Sequence, residues 1–154
     1  MTPTNDNQAR TWAAIAHLSS LVWIPLAFVG LSFPILNIVG PLIVWLSKKN
    51  DSRFIDEEGK ESLNFQISFT IYAFTLLLIL AIGLLIYGIV IFGTNPNSSA
   101  TQGGFLAALL LFGFFAGGVL FIMLIVQLIL VIIAAVKAKN GQHYRYPLTI
   151  RFIR

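Results

Sequence analysis

The sequence contains no cysteine and very little charge. Without cysteine there is no disulfide, no thiolate metal site and no thiol nucleophile. Only 10% of the 154 residues are charged, against roughly a quarter in an ordinary soluble domain. No charged residue lies between Arg10 and Lys48, and none lies between Glu61 and Lys137. Two such stretches exclude a soluble globular protein, a nucleic-acid-binding domain and a disordered tail, and they indicate an integral membrane protein.

The motifs of common catalytic sites are also missing from the sequence. It has no nucleotide-binding glycine loop, no His-Glu-x-x-His, no Gly-x-Ser-x-Gly and no paired carboxylates within an apolar stretch. We therefore predict no catalytic residue, no cofactor and no metal site, and we predict that the chain is not an enzyme. A lipid-modifying enzyme is the third hypothesis, because no nucleophile–base pair stands out.

The first apolar stretch, 12–46, is too long for one straight membrane helix. At about 1.5 Å per residue it would extend about 52 Å, against a hydrocarbon core of about 30 Å. The turn signal at 30–34 predicts a helix near 11–30 and a short one near 34–47, which either spans or re-enters the membrane. Pro25 and Pro41 should each bend their helix, whereas Pro34 falls in the first turn of the second helix, where proline is tolerated.

The second charge-free stretch predicts two long spans. An amphipathic interfacial helix at 52–63 should precede a third helix at 65–92. An uncharged loop follows, and a fourth helix runs from Thr101 or Phe105 to about Lys137, where Asn140-Gly141 provides the stop. The predicted fold is therefore all-α, with a short proline-broken hairpin, two long spans and an interfacial helix before the third span.

The basic residues predict the domain division and the orientation. We divide the chain into a disordered N-terminus (1–10), a four-helix transmembrane domain (11–139) and a basic C-terminal tail (140–154). Lysines and arginines concentrate in 48–61 and from 137 onward, which predicts cytoplasmic N- and C-termini. If 11–47 crosses only once, the N-terminus lies outside instead. The expected location is a bacterial inner (plasma) membrane or a thylakoid.

A polar face follows the third predicted helix. Asn64, Ser68, Tyr72 and Thr75 fall within about 80° at helical periodicity. Such a face either packs on other helices through hydrogen bonds or forms one wall of a polar pathway.

Two further polar residues and one small-residue motif lie inside the apolar stretches. Gln127 should pair with another helix through Asn64 or Gln66, and His17 has either a structural role or a role as a proton switch. Gly113 and Gly117 form a small-xxx-small motif that permits close helix packing, within the chain or in a homodimer.

Four stretches resemble a known family of membrane proteins. They are Trp12-Ala-Ala-Ile-Ala-His-Leu-Ser19, Gly40-Pro-Leu-Ile-Val-Trp-Leu46, Gly59-Lys-Glu-Ser-Leu-Asn-Phe-Gln-Ile-Ser68 and Lys137-Ala-Lys-Asn-Gly-Gln-His-Tyr-Arg-Tyr-Pro-Leu-Thr-Ile150. Together they look like the bacterial Tic-twenty-like family of small integral membrane proteins, related to a component of the chloroplast inner-envelope import translocon. The resemblance implies a four-helix membrane protein and, by analogy, a role in protein import.

These observations lead to two hypotheses about function. The first is a non-enzymatic membrane protein that assists protein translocation, membrane-protein biogenesis or complex assembly. The alternative is a small channel or carrier that uses the polar intramembrane face. The expected partners are the lipid bilayer and either other membrane proteins or further copies of the chain, with no nucleic acid.

Overall fold

The protein is all-helical in the computed structural model, which describes residues 6–30, 35–94, 96 and 98–154. The elements, in chain order, are α1 (Asp6–Leu18), a 3₁₀ turn (Ser19–Leu21), α2 (Trp23–Phe28), α3 (Leu36–Lys48), α4 (Arg53–Thr94) and α5 (Ser99–Lys139). Among the described residues, three helical segments are long and apolar enough to cross a membrane: 6–28, 53–94 and 99–139. The predicted fold class is thereby confirmed, and within the described residues there is no strand.

The first helical segment is longer and more broken than the predicted helix at 11–30. It begins at Asp6 and changes to a 3₁₀ turn before α2. Pro25 lies in α2 and has no N–H to donate to the carbonyl of Leu21, which favours a break in the regular ladder at this point. Gly30 then takes a positive φ of 81°, as a turn requires. Residues 31–34, which include the rest of the predicted turn, lie outside the described residues.

The predicted interfacial helix at 52–63 is the first part of α4. The hydroxyl of Ser52 accepts a hydrogen bond from the backbone N–H of Phe54 at 3.2 Å and so caps the helix start. No proline interrupts the following residues, and the helix continues for 42 residues to Thr94. The charged segment and the third apolar span therefore belong to one continuous helix.

Helix α5 ends as the sequence predicts, at the Asn140-Gly141 pair. Gly141 has a φ of 75°. Its N–H bonds to the carbonyl of Ala138, and the N–H of Gln142 bonds to the carbonyl of Lys137. This pattern is a Schellman motif, which satisfies the last carbonyls of the helix and directs the tail away from the helix axis.

The described chain divides into two compact units. Unit 1 comprises the described residues up to Thr70 together with Val126–Arg154, and unit 2 comprises Ile71–Ile125. In unit 1, α1 meets α5 through alanines: Ala13, Ala14, Ala135 and Ala138 are buried together against Phe54. Small side chains let two helix backbones approach closely, which is the usual basis of helix packing in membranes.

Helix α3 is held in unit 1 by two close approaches at glycines. A Cβ on Gly40 would overlap the backbone carbonyl of Ser19 in the 3₁₀ turn. A Cβ on Gly59 of α4 would lie 2.6 Å from Cδ1 of Trp45. The indole N–H of Trp45 also donates to Asp56 at 2.8 Å. Glycine is thus required where α3 packs on its neighbours.

Unit 2 consists of parts of α4 and α5 whose large apolar side chains are mostly exposed. Phe92 packs edge-on against Phe105 with ring centroids 5.2 Å apart, whereas Leu85, Leu110 and Phe114 are all exposed. An exposed apolar surface of this kind needs lipid or another protein to cover it.

Candidate functional site: a buried carboxylate and the tail that covers it

The carboxylate of Glu58 is the centre of a buried polar network in unit 1. Its side chain is 1% exposed. One oxygen lies 3.0 Å from Nε2 of His17, and the other lies 2.9 Å from Nδ1 of His143. The backbone N–H of Tyr144 donates to the second oxygen at 3.4 Å. A single side chain of α4 therefore joins α1 to the C-terminal tail.

The imidazole of His17 uses both of its nitrogens in this network. The ring is fully buried, and Nδ1 lies 3.0 Å from the hydroxyl of Tyr146. Because a carboxylate only accepts, Nε2 donates to Glu58. In the neutral ring the hydroxyl of Tyr146 donates to Nδ1, and in the doubly protonated ring it accepts from Nδ1. Each arrangement satisfies all three groups.

Tyr146 is fixed by an aromatic stack as well as by its hydroxyl. Its ring lies parallel to that of Phe65 with centroids 4.0 Å apart, and the residue is buried. Burial, with smaller contributions from Tyr144, Glu58 and Glu61, raises the pKa of Tyr146 well above its usual value. The phenol stays protonated in neutral solution and is available to donate.

A second polar cluster joins α3, α4 and α5 through amides. The side-chain oxygen of Gln66 accepts from Asn37 at 3.1 Å and from Gln127 at 2.7 Å. Asn37 also donates to the hydroxyl of Thr70 at 3.0 Å. Nε2 of Gln66 and Oδ1 of Asn37 are buried without a hydrogen-bond partner among the described residues. The predicted pairing of Gln127 with Gln66 is confirmed.

The C-terminal tail lies along α4 and is bound through its backbone. The amide oxygen of Asn64 accepts from the N–H groups of Phe152 and Ile153, and its nitrogen donates to the carbonyl of Ile153. The hydroxyl of Ser68 accepts from the N–H of Ile150 at 2.9 Å. The side-chain amide of Asn64 thus bonds to the backbone of the tail in the way that the backbone of a neighbouring strand would.

An open pocket of about 580 Å³ lies between the start of α4 and the tail. We call it the α4–tail pocket. Its lining contains side chains of both charge signs, together with Tyr144: Arg53, Asp56, Glu57, Glu58, Lys60, Glu61, His143, Arg145 and Arg154. In the part of the chain that the structure describes, no three histidine or carboxylate side chains are placed to hold a metal ion.

Unit 1 contains four of the six residues of the predicted polar set: His17, Asn64, Ser68 and Gln127. The other two members, Tyr72 and Thr75, lie in unit 2 and are exposed. The glycines of the packing motif, Gly113 and Gly117, are exposed too, and a Cβ on either would meet no described atom within 4 Å.

Sequence reasoning missed Glu58, His143 and Tyr146 as members of the site. Acids on an amphipathic interfacial helix are normally assigned to the water-facing side, and no acid lies within the apolar stretch that contains His17. One signal was present: Ile55, Glu58, Gly59 and Ser62 recur at helical spacing, and all four are buried. The apolar neighbours indicate an inward-facing stripe that includes the acid.

Comparison with known proteins identifies the family and corrects the earlier resemblance. No curated protein and no solved structure matches the sequence. The model of the magnetosome magnetite crystal formation protein family matches residues 8–153. The resemblance to the Tic-twenty-like family is therefore wrong, because the family that matches is a different one. Since the match covers nearly the whole chain, this membrane protein belongs to the magnetosome magnetite crystal formation protein family.

Proposed function

We propose that the chain is a non-enzymatic component of a magnetite-forming membrane compartment, where it supports crystal formation by assembling with lipid and membrane-protein partners or further copies of itself. The observation that carries this proposal is that the hydrogen bonds of the Glu58 network are all made within the chain. Both carboxylate oxygens of Glu58 and both nitrogens of His17 bond to groups of the same chain. The family match supports the process in which the protein acts.

The chemistry of the network favours a structural role. A carboxylate and an imidazole that are both removed from water are stabilised only when their hydrogen-bonding capacity is satisfied. Here that capacity is met by segments far apart in the sequence, and the result is a fixed position of the tail on α4. The groups best suited to acid–base chemistry are thereby engaged in holding the helices and the tail together.

The same contacts support placing both termini on one side of the membrane, which we propose is the cytoplasmic side. The charged start of α4 lies next to the tail through Glu58 and His143. Lys139, at the end of α5, donates to Thr11 near the start of α1 at 2.7 Å. Reporter fusions at the N-terminus, at Asn97 and at Arg154 test this proposal: cytoplasmic signals from both termini and the opposite signal from Asn97 support it, and termini on different sides contradict it.

The functional test is complementation in a magnetite-forming bacterium that lacks its own family members. Crystal number and size are measured by electron microscopy after expression of the wild-type chain, Glu58→Gln or the control Asp51→Asn, which alters an exposed carboxylate at the same end of the protein. We expect the wild type and the control to restore crystals and Glu58→Gln to restore fewer. Failure of a folded, membrane-inserted wild-type chain to change the crystals would contradict the proposal.

The second candidate function is a channel or carrier, and the amide cluster favours it. Nε2 of Gln66 and Oδ1 of Asn37 lack partners among the described residues, so a passing polar solute would satisfy them. Solute flux through the purified protein in liposomes, abolished by Asn64→Leu and Gln127→Leu, would support this candidate. Absence of flux with the wild type would eliminate it. The family description does not support protein translocation, so that role is not carried forward.

A further inference from the structure

The α4–tail pocket is lined by charges of both signs, and only some of its cationic side chains form ion pairs. Arg53 is paired with Glu57 at 2.7 Å, and Lys60 is paired with Asp56 at 2.6 Å. Arg145 and Arg154 also line the pocket, but no carboxylate of the described residues lies within ion-pairing distance of either. Two guanidinium groups are therefore left to bind an anionic group.

The lining of the pocket also offers carboxylate oxygens. Glu57 and Glu61 are one helical turn apart on α4, so their side chains share a face. One oxygen of Glu57 accepts from Arg53, and the other lies 3.6 Å from Nδ1 of His143. One oxygen of Glu61 accepts from Arg151 at 3.3 Å, whereas the other is buried and has no hydrogen-bond donor among the described residues. A donor supplied from the pocket would stabilise this carboxylate.

The balance of charge selects the kind of ligand. Four cationic and four carboxylate side chains line the pocket, together with His143. A purely anionic ligand gains little net attraction from such a balanced lining. A ligand with a negative and a positive group a few ångströms apart matches it, because each group meets its opposite charge.

The surroundings of the pocket indicate that this ligand is part of a lipid. Between the two free arginines the tail exposes three apolar side chains at alternate positions: Leu148, Ile150 and Phe152. At the same charged end, Lys48 lies over the ring of Trp12 and Lys49 over that of Trp45. Tryptophan and lysine in this combination are typical of the membrane–water interface.

We propose that the α4–tail pocket binds the headgroup of a phospholipid that carries both a phosphate and a primary ammonium, with the phosphate on Arg145 and Arg154 and the ammonium on Glu57 and Glu61. The chemistry is that of phosphoethanolamine. This inference goes beyond the proposed function and is independent of it, because the binding is measured on the purified protein without any mineral.

The test is a competition among lipids for the full-length protein in detergent. The protein is incubated with mixed micelles that contain equal amounts of phosphatidylethanolamine, phosphatidylcholine and phosphatidylglycerol, and the retained lipid is quantified by mass spectrometry. We expect phosphatidylethanolamine to exceed both others about tenfold, since a charge-assisted hydrogen bond changes affinity by about that factor. Equal retention of the three lipids, or preference for phosphatidylglycerol, would overturn the proposal.

The variants separate the two halves of the headgroup. Arg145→Gln with Arg154→Gln should abolish retention of phosphatidylethanolamine, whereas Arg10→Gln with Lys139→Gln, which removes the same charge outside the pocket, should not. Glu57→Gln and Glu61→Gln should each reduce the preference for phosphatidylethanolamine over phosphatidylcholine. Circular dichroism confirms that each variant is folded, and a folded arginine variant that behaves like its control contradicts the assignment.

A final arm distinguishes a lipid from a free metabolite. Soluble phosphoethanolamine and inorganic phosphate are added as competitors to the lipid-loaded protein. We expect neither competitor to displace the lipid at equal concentration, because the acyl chains of the lipid contribute to its binding. Displacement by either competitor at equal concentration would overturn the assignment of a lipid.

Discussion

The Glu58 carboxylate lies 3.0 Å from the imidazole of His17 although 41 residues separate them in the chain. Both side chains are almost completely buried. The pair fixes α1 against α4. The second oxygen of Glu58 and the second nitrogen of His17 fix the tail by hydrogen bonds to His143 and Tyr146. Removal of a group at this point should therefore affect distant parts of unit 1.

Replacement of Glu58 by alanine should strongly destabilise the protein. Loss of one partner leaves the other buried without compensation, which typically costs about 3–5 kcal/mol. The control Asp51→Ala removes an exposed ion pair with Lys48 and should cost less than about 1 kcal/mol. Chemical denaturation in detergent measures both values, and equal losses for the two variants would show that the network contributes nothing.

Replacement of Asn64 by leucine should release the end of the tail from α4. The variant removes the acceptor of two backbone N–H groups and the donor to Ile153. Each hydrogen bond contributes about 1 kcal/mol, so tail opening should rise more than tenfold. Limited trypsin digestion measures this at Arg151. Thr75→Leu, an exposed position on the same helix, is the matched control, and equal cleavage rates would contradict the docking of the tail.

The raised pKa of Tyr146 predicts a loss of stability in alkaline solution. The folded state holds the phenolic proton more tightly than the unfolded state, so the contribution is complete below about pH 10 and falls as the pH rises through the folded pKa. Tyr146→Phe should be less stable than the wild type at neutral pH because His17 loses its partner, and the difference should shrink above pH 10. A difference that is constant between pH 8 and pH 11 would refute this prediction.

Replacement of Gly40 by alanine should disturb the packing of α3. The added methyl group would overlap the carbonyl of Ser19, and overpacking of this kind costs about 1–3 kcal/mol. In Gly113→Ala the methyl group meets no described atom within 4 Å, and the helix should gain slightly in stability because alanine favours helix. Thermal unfolding monitored by circular dichroism compares the two variants, and a more stable Gly40→Ala would contradict the close approach of α3.

The sequence was informative wherever structure depends on local pattern. The charge-free stretches predicted long apolar helices, and the Asn140-Gly141 pair predicted the end of α5. Gln127 was expected to form a hydrogen bond with an amide on another helix, and it donates to Gln66. The helix stop is set by two adjacent residues. The apolar helices and the pairing of Gln127 follow from the lack of water inside a membrane, where a polar side chain needs a partner from the protein.

The Glu58 network could not be predicted because its partners are set by tertiary contacts. Tyr146 and His17 are 129 residues apart, and no local periodicity relates them. Acids on an amphipathic helix are normally assigned to water, and nothing in the sequence relates Glu58 to His17 or His143. The alternation of Leu148, Ile150 and Phe152 permits an extended segment but does not predict where it docks, and its position depends on hydrogen bonds that its N–H groups donate to Asn64 and Ser68.

The docking of the tail on α4 also constrains the order of events during synthesis. Asn64 binds Phe152 and Ile153, which are synthesised 88 and 89 residues after it. Until they emerge from the ribosome, α4 presents an unpaired amide, and Glu58 lacks His143. The network at this end is therefore incomplete in the nascent chain, and it forms only after residues 143–153 have been made. A chain truncated after Lys139 would lack the bonds of Glu58 to His143 and of Asn64 to the tail.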